Sequence, residues 1–270
     1  MYKINNYEFN AFKLIAHMHH SNYAVLENAK GSGIKYCPHL SFDDEFFILR
    51  ELDHKQIPKA HDYGRGMLYK DGKEVLNQYF IILDNMGCAD FMAYYKGKVE
   101  KDFAVNLKNI IKCFISTCDP LDCLHSLNYV HTDLKPGHLM LDPDSNTVSF
   151  VDFELTIKNS GLIKGFSKDY AAPEHEELLK LLKDAPPNVP LEAIANDIAI
   201  DQRADIYSLG TIMFEILTLK KWAEAKTAAR EINNLIPQKL EKIIMAMVEK
   251  KPDNRISTVK ELKRALQNIL

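Results

Sequence analysis

Residues 129–141 read YVHTDLKPGHLML, and residues 148–154 read VSFVDFE. The first stretch places Asp133 in a His-x-Asp turn, where a carboxylate can orient or deprotonate a hydroxyl nucleophile. Lys135 follows in the same turn, and its ammonium group can neutralise a phosphoryl group during transfer. Asp152 ends the hydrophobic run of the second stretch, where a carboxylate can hold the metal that bridges nucleotide phosphates. The two stretches therefore predict phosphoryl-transfer chemistry.

These stretches resemble the catalytic loop and the metal-binding segment of protein kinases, whose patterns are H-R-D-L-x-x-x-N and D-F-G. The resemblance implies that Asp133 is the catalytic base, that Lys135 stabilises charge and that Asp152 binds a metal. His138 stands where the pattern has Asn, and Glu154 stands where it has Gly. Glu154 removes the flexible pivot after Phe153, so this segment should be stiffer than with glycine. Because a ring nitrogen suits Mn²⁺ better than Mg²⁺, His138 implies either a lost second metal or a changed metal preference.

Three segments of the second half also resemble protein kinases. The resemblance implies that Asp205 accepts hydrogen bonds from the catalytic-loop backbone and that Arg255 pairs with Glu174. The catalytic loop alone is also similar to the H-x-D-x-x-x-x-N and I-D-x-E patterns of aminoglycoside-type phosphotransferases, but those proteins lack the three segments, so the protein kinase branch is favoured. The segments are KDYAAPE at 168–174, DQRADIYSLG at 201–210 and KPDNRIS at 251–257.

The first third of the chain reads as short strands around one helix. Strand-like runs extend from Phe9 to about Leu83, among them Leu14–Ala16 and the buried-type run Gln78–Leu83, and a helix is predicted over Asp43–Leu52. One helix among five strands is the order of a kinase small lobe. The glycine-rich turn of that lobe is expected between Ile15 and Tyr23, but residues 16–22 read AHMHHSN and contain no glycine. The three histidines are compatible with a metal site, although an exposed polar turn explains them more simply.

The residues expected to contact the nucleotide phosphates are altered. Residues 35–40 read KYCPHL, which is similar to the family's K-Y-A-I-K-V and places His39 on the usual lysine position. Lys35, or Lys30 on the preceding strand, is an alternative, because strand alternation does not decide between them. Glu45 is predicted to pair with whichever basic residue serves the phosphates, and an exposed helix carboxylate is the alternative interpretation.

Residues 79–87, YFIILDNMG, resemble the last small-lobe strand and the hinge that follows it. The resemblance implies that backbone groups around Asp84 and Met86 hydrogen-bond the adenine edge. A plain strand followed by a glycine turn is the alternative. Downstream, the helical spacing of apolar residues predicts a long helix over Ala104–Asn128.

We therefore predict an α+β class and a bilobal protein-kinase-like fold, with a small β-rich N-lobe and a larger helical C-lobe. An insertion in the C-lobe has no family template, and a helix is predicted to begin in it at Leu178. Either a docking role or a plain extra helix would explain the insertion. The predicted limits are 1–270 for the domain, 1–83 for the N-lobe, 84–87 for the hinge, 88–270 for the C-lobe and about 176–198 for the insertion.

Composition indicates which partners and which cellular compartment to expect for the protein. A formal net charge of −3 gives no strong attraction to nucleic acid or to a membrane surface, so we expect neither as a partner. The five cysteines form no metal-ligand or disulfide pattern, which favours a reducing compartment. No apolar run reaches spanning length. These features predict a soluble, cytoplasmic or otherwise intracellular protein.

Three functions remain open. The first is a divergent Ser/Thr protein kinase that uses ATP with Mg²⁺ or Mn²⁺ and acts on a protein substrate. The second is a pseudokinase that binds a protein partner, and the third is a small-molecule phosphotransferase. The absent glycines, His39 and His138 favour the pseudokinase. Asp133, Lys135 and Asp152 favour catalysis, because a scaffold has no physical need for all three.

Overall fold

The computed structural model describes residues 1–9, 21–86, 89–159, 161–186, 190 and 198–270. The chain divides into two units, Met1–Cys88 with Ser149–Glu154 and Ala89–Val148 with Leu155–Leu270. A strand-rich first unit and a helical second unit confirm the predicted α+β class. The first unit includes the short segment 149–154, which the predicted lobe limits had placed in the second lobe.

The first unit is built on an antiparallel sheet, which has six strands among the described residues. Its strands are β1 (Tyr2–Ile4), β2 (Tyr7–Phe9), β3 (Asn22–Val25), β4 (Ser32–Cys37), β5 (Ala60–Lys70) and β6 (Lys73–Asp84). The strand order is β2-β1-β5-β6-β4-β3. The predicted run at Leu14–Ala16 and most of the glycine-free turn lie outside the described residues.

The hairpin β1–β2 was not predicted. Its strands have three residues each, which is too short for an alternating pattern to be recognised. It extends the sheet because Tyr2–Ile4 pairs with Leu68–Lys70 at the edge of β5. Ile4 and Phe9 are fully buried in the core of the unit. The hairpin is therefore a structural part of the first unit.

Strands β5 and β6 form a long hairpin closed by Asp71 and Gly72. Both residues have positive φ, 49° and 77°, as a two-residue Asp-Gly turn of type I′ requires. The prediction covered only Gln78–Leu83, the largely buried part of β6. The preceding residues, 73–77, are exposed and mostly polar, so no run of apolar residues marks this part of the strand.

The single helix of the first unit, α1, spans Asp43–Glu51, close to the predicted Asp43–Leu52. Three acidic residues occupy its first turn, where they interact favourably with the positive end of the helix dipole. Ile48 and Leu49 face the interior and are buried. Glu45, in the first turn of the helix, is buried with them.

The second unit is mainly helical. Asp102 separates two consecutive helices, and its carboxylate accepts the Val105 N–H at 3.1 Å as the N-cap of the second. The helix Arg203–Thr218 is almost entirely buried and forms the centre of the unit. The helices are α2 (Phe91–Lys101), α3 (Phe103–Ser126), α4 (Pro173–Lys183), α5 (Arg203–Thr218), α6 (Trp222–Ala225), α7 (Ala229–Ile232), α8 (Gln238–Met247) and α9 (Val259–Gln267).

Short strands flank the predicted catalytic loop. Strand β8 (Tyr129–Val130) precedes the loop and pairs with β11 (Ile157–Lys158). Strand β9 (Leu139–Asp142) follows it and pairs with β7 (Ala89–Asp90). Between them, Pro136–His138 forms a single 3₁₀ turn. Both ends of the loop are thus anchored in the second unit. Strand β10 (Thr147–Phe150) then carries the chain from the second unit into the first.

Only part of the predicted insertion at 176–198 is described. Helix α4 begins at Pro173, five residues earlier than the predicted start at Leu178, because proline at the first helical position is preorganised for a helix. Residues 187–189 and 191–197 lie outside the described residues. Among the helices that are described, none is both long and apolar enough to cross a membrane.

Candidate active site

Lys35 is the centre of a charged cluster in the first unit. Its side chain, on β4, is only 1% exposed. Its Nζ lies 2.8 Å from Glu45 Oε2, 2.7 Å from Asp152 Oδ1 and 3.1 Å from Glu154 Oε2. Phe42 covers the ammonium group, with its ring centroid 5.1 Å from Nζ. One buried cation is therefore shared by three carboxylates.

Burial and charge act in opposite directions on this cluster. Burial disfavours the charged ammonium, but the carboxylates of Asp152, Glu45 and Glu154 outweigh it and raise the pKa of Lys35. Burial raises the pKa of Glu45, against the attraction of Lys35. Glu45 Oε1 also accepts the Phe153 N–H at 3.0 Å, so this carboxylate orients both the lysine and the segment that follows Asp152.

The structure separates the three basic candidates for the ion pair. Lys35 pairs with Glu45, whereas His39 lies exposed beyond the end of β4 and Lys30 lies exposed in the turn before it. The direct register had placed His39 on the lysine position, and for the ion pair this register is wrong. Lys35 lies within β4, as the fourth of its six residues, whereas His39 lies two residues beyond the end of the strand. Contact of Lys35 or His39 with phosphates stays a prediction.

The same cluster fits a divalent cation. Ligand oxygens of Glu45, Asp152 and Glu154 all lie within 4.8 Å of one another. Carboxylate oxygens are ligands that Mg²⁺ and Mn²⁺ prefer. Asp152 adopts a left-handed backbone conformation with φ of 67°, which Asp tolerates better than most residues. Glu154 was expected only to stiffen this segment, and its contact with Lys35 was not foreseen.

The predicted hinge residues are held by contacts within the first unit. Asp84 ends β6, and its backbone N–H donates to the Lys59 carbonyl at 3.0 Å. Its carboxylate lies 2.7 Å from His61 Nε2. Met86 follows the strand and is half-buried, and Gly87 lies outside the described residues. Adenine binding by the backbone of Asp84 and Met86 stays a prediction.

Asp133 and Lys135 meet in the second unit. Lys135 Nζ donates to Asp133 Oδ2 at 2.8 Å and to Ser167 Oγ at 3.1 Å. Burial opposes ionisation of Asp133, but nearby His138 and Lys135, together with Ser167, hold the pKa of Asp133 below its usual value. Asp133 Oδ1 makes no hydrogen bond within the described residues. One carboxylate oxygen is thus held by the lysine, and a role of Asp133 as the base stays a prediction.

Ser167 was missed by the sequence analysis. The recognised motif begins at Lys168, one residue later, and no letter of that motif marks the serine. Its contact with Lys135 spans 32 residues, so no local pattern reveals it. The only available signal was a hydroxyl residue just before the segment at 168–174.

His138 closes the catalytic loop. Its Nδ1 lies 2.9 Å from the Asp133 carbonyl oxygen. Because a carbonyl oxygen only accepts, Nδ1 carries the proton, and in a neutral ring Nε2 is then the nitrogen able to ligate a metal. The ring is only 2% exposed. The structure therefore gives His138 a structural role, while metal binding stays a prediction.

The backbone before Asp133 is strained and held in place. Thr132 has φ of 65°, an unfavourable conformation for a β-branched residue. Its N–H donates to Asp205 Oδ1 at 3.0 Å, and the His131 N–H donates to Asp205 Oδ2 at 2.9 Å. His125 Nε2 lies 2.8 Å from the same carboxylate. These contacts confirm the implied role of Asp205, which lies in the first turn of the buried helix α5.

Arg255 and Glu174 form the other implied pair. The two Nη atoms of Arg255 each donate to one Glu174 oxygen at 2.6 Å, in the bidentate geometry that suits guanidinium and carboxylate. Both side chains are buried. The pair joins the start of α4 to the turn before α9.

Residues 11–270 match the family model described as the protein kinase domain. The chain belongs to the protein kinase family. The match covers both units and confirms the resemblance that was based on the catalytic loop and the three later segments. The hairpin β1–β2 at residues 2–9 lies outside the matched range.

Several curated kinases are similar to this protein kinase domain. It is 26% identical over 221 residues to a probable serine/threonine-protein kinase of Clostridium acetobutylicum, covering 72% of this chain and 30% of the relative. It is 23% identical over 242 residues to the probable serine/threonine-protein kinase PknB of Lactococcus lactis, covering 82% and 33%. It is 24% identical over 273 residues to the tyrosine-protein kinase MasK of Myxococcus xanthus, covering 87% and 38%. The chain thus spans about a third of the length of these relatives.

Proposed function

We propose that this protein is an active, divergent protein kinase that transfers the γ-phosphate of ATP to a Ser or Thr hydroxyl of a protein substrate. The arrangement around Asp133 carries the proposal. Lys135 and Ser167 orient one carboxylate oxygen, and the pKa of Asp133 lies below its usual value, so the group is ionised at neutral pH. An ionised carboxylate with an uncommitted oxygen suits the acceptance of a hydroxyl proton.

The cluster on the first unit supports a nucleotide role. Lys35 would bind phosphate oxygens, and Glu45 would keep its ammonium group in place. Asp152 and Glu154 would hold Mg²⁺ or Mn²⁺, which when bound would neutralise charge on the transferring phosphoryl group. The ion pair of Lys35 removes one argument for lost activity, because His39 is not required to replace the usual lysine.

A pseudokinase remains the second candidate. It is favoured by His138, whose Nδ1 is used to close the loop rather than to offer the oxygen that Asn provides. The absence of glycine from the sequence at 16–22 also favours a pseudokinase. A pseudokinase would bind its protein partner without phosphoryl transfer. Small-molecule phosphotransfer has less support, since the matched family is that of protein kinases.

Phosphoryl transfer to peptide mixtures and to the protein itself would test the proposal. With radiolabelled ATP and either Mg²⁺ or Mn²⁺, the unaltered protein should label Ser or Thr residues. Asp133→Asn should lower the rate by about 10²–10⁴-fold, the range for loss of a general base. Asp144→Asn, the same change at an exposed position, should leave the rate unchanged. Undiminished labelling by Asp133→Asn would disprove the role of this residue, and no labelling by the unaltered protein would favour the pseudokinase.

A further inference from the structure

Tyr23 lies on the same face of the sheet as Lys35. In the antiparallel pairing of β3 with β4, Tyr23 is directly opposite Lys35, and directly opposite residues point to the same side of a sheet. Gly33 shares this face, because it lies two residues before Lys35 on the same strand. The face that carries the proposed phosphate-binding lysine therefore also carries an aromatic side chain, with a glycine beside it.

The ring of Tyr23 covers Gly33. A Cβ atom added at Gly33 would overlap the hydroxyl end of this ring, so the ring occupies the space that a side chain at position 33 would take. The Tyr23 hydroxyl donates to Asn85 Oδ1 at 3.3 Å. Burial, together with the negative charge of Asp84, raises the pKa of Tyr23 to about 12, so the hydroxyl keeps its proton for this bond. Tyr23 thus extends from its place opposite Lys35 to the predicted hinge.

The space over Gly33 is also the space that a nucleotide base would need. If Lys35 binds phosphates and the backbone of residues 84–86 binds the adenine edge, the base lies between them. Gly33 is opposite Leu83, the residue before this hinge, and lies about 7 Å along the strand from Lys35. An adenine ring in that interval would meet the ring of Tyr23, and the two rings cannot occupy the same place.

We propose that Tyr23 occupies the base site of the nucleotide-free protein and determines how much the base contributes to nucleotide binding. Binding of ADP or ATP then requires the Tyr23 ring to turn away from Gly33 and to break its hydrogen bond with Asn85. Binding of the phosphates alone does not require this change. The inference rests on the proposed nucleotide role of the first unit, and it makes Tyr23 a specificity-determining residue of that site.

Calorimetric titration of the unaltered protein and Tyr23→Ala would test this inference. The probes are ADP and inorganic tripolyphosphate, each with Mg²⁺. Tyr23→Ala should bind ADP at least about tenfold more tightly, because no ring has to be displaced and no hydrogen bond broken. Its affinity for tripolyphosphate should stay within about threefold of that of the unaltered protein, since this probe has no base. A general change in the fold would not separate the two probes in this way.

Two further variants accompany Tyr23→Ala. Gly33→Ala places a methyl group against the hydroxyl end of Tyr23, which is the flexible end of that side chain and should move away. This variant should also bind ADP more tightly and tripolyphosphate unchanged, and it decides the matter if circular dichroism shows that Tyr23→Ala is unfolded. Tyr69→Ala is the matched control, because it removes a tyrosine ring near the end of β5 and should bind both probes like the unaltered protein.

The outcomes distinguish this inference from the proposed function. Unchanged ADP binding by the folded variant would overturn the inference, and weaker ADP binding would overturn it too, because the ring would then stack on the base rather than exclude it. Equal gains for both probes would also overturn it. Tighter ADP binding without phosphoryl transfer to any protein would support the inference and contradict the catalytic part of the proposed function. Failure of every variant to bind ADP would overturn both.

Discussion

At Lys35 a single ammonium group meets three carboxylates, of which Glu45 is as fully buried as the lysine and Asp152 and Glu154 are partly exposed. Removal of the cation would leave the buried carboxylate of Glu45 without a compensating charge. The residue that pairs with Glu45 was open in the sequence, since Lys30, Lys35 and His39 all lie on or beside the same strand. Packing of α1 against the sheet decides it in favour of Lys35.

The change Lys35→Met should destabilise the protein by about 3–5 kcal/mol, because it leaves buried carboxylates without their cation. Lys30→Met removes the same charge from an exposed position and should change the free energy of unfolding by less than about 0.5 kcal/mol. Urea denaturation at neutral pH measures both. Equal effects of the two substitutions would contradict the assignment of the ion pair to Lys35.

Among the elements, α5 supports the catalytic loop through its first turn. Asp205 accepts two backbone N–H groups of the loop and a histidine N–H, all from residues at least 73 positions away. Burial opposes its ionisation, but the hydrogen bonds from His125 and from the loop backbone hold the pKa of Asp205 below its usual value. The strained Thr132 backbone depends on this carboxylate.

The lowered pKa of Asp205 predicts a pH dependence. A carboxyl group with a depressed pKa in the folded state contributes stability above its unfolded pKa of about 3.9, and this contribution is lost as the pH falls through the folded value. Asp205→Asn should therefore reduce stability at neutral pH by about 1–3 kcal/mol and make acid unfolding less steep. Asp184→Asn, at an exposed position, is the control. Thermal unfolding at pH values between about 3 and 7 measures the effect. Parallel curves of stability against pH for Asp205→Asn and the unaltered protein would exclude it.

The hairpin β1–β2 shows what a short element contributes by packing. Phe9 is fully buried and stacks with Tyr2 at a centroid distance of 5.7 Å, and it also contacts the Tyr36 ring. Residues 2–9 lie before the matched kinase domain, yet they extend its sheet by two strands. Strand β1 pairs with Leu68–Lys70, the last three residues of β5.

The change Phe9→Ala should destabilise the protein by about 3–5 kcal/mol through loss of buried surface and the cavity that remains. Phe47→Ala removes the same ring from a position that is 56% exposed and should have an effect below about 1 kcal/mol. Chemical denaturation compares the two. A small effect of Phe9→Ala would mean that the hairpin is dispensable for the first unit.

At the scale of the whole molecule, the proposed nucleotide and metal residues are confined to one unit. Lys35, Glu45, Asp152 and Glu154 all belong to the first unit, which takes in 149–154 although most of it comes from the first 88 residues. A ligand that binds this cluster stabilises the folded state by mass action. Ligand binding should therefore stabilise both sequence segments of the first unit, residues 1–88 and residues 149–154.

Hydrogen exchange in the presence of ADP and Mg²⁺ would test this expectation. At about a hundredfold excess over the dissociation constant, ligand linkage supplies roughly 2.7 kcal/mol, enough to slow exchange about a hundredfold where the ligand opposes opening. We expect slower exchange in β4, α1 and residues 149–154, and no such change in Asp152→Asn. Slowing in β4 without any in 149–154 would contradict binding by the complete cluster.

The sequence by itself determined the family, the class of fold and the local chemistry of this protein. Contiguous motifs identified Asp133, Lys135 and Asp152, and helical periodicity located α1 and α3 to within two residues, because spacing along one element is a local property. Only the tertiary structure decided that Lys35 pairs with Glu45, that Ser167 joins Lys135, and that the first nine residues complete the sheet. The contact of Lys35 with Asp152 spans 117 residues. The packing of helices and strands, and the burial of charged groups next to one another, select such partners. The spacing of residues within a motif reveals neither the packing nor the burial.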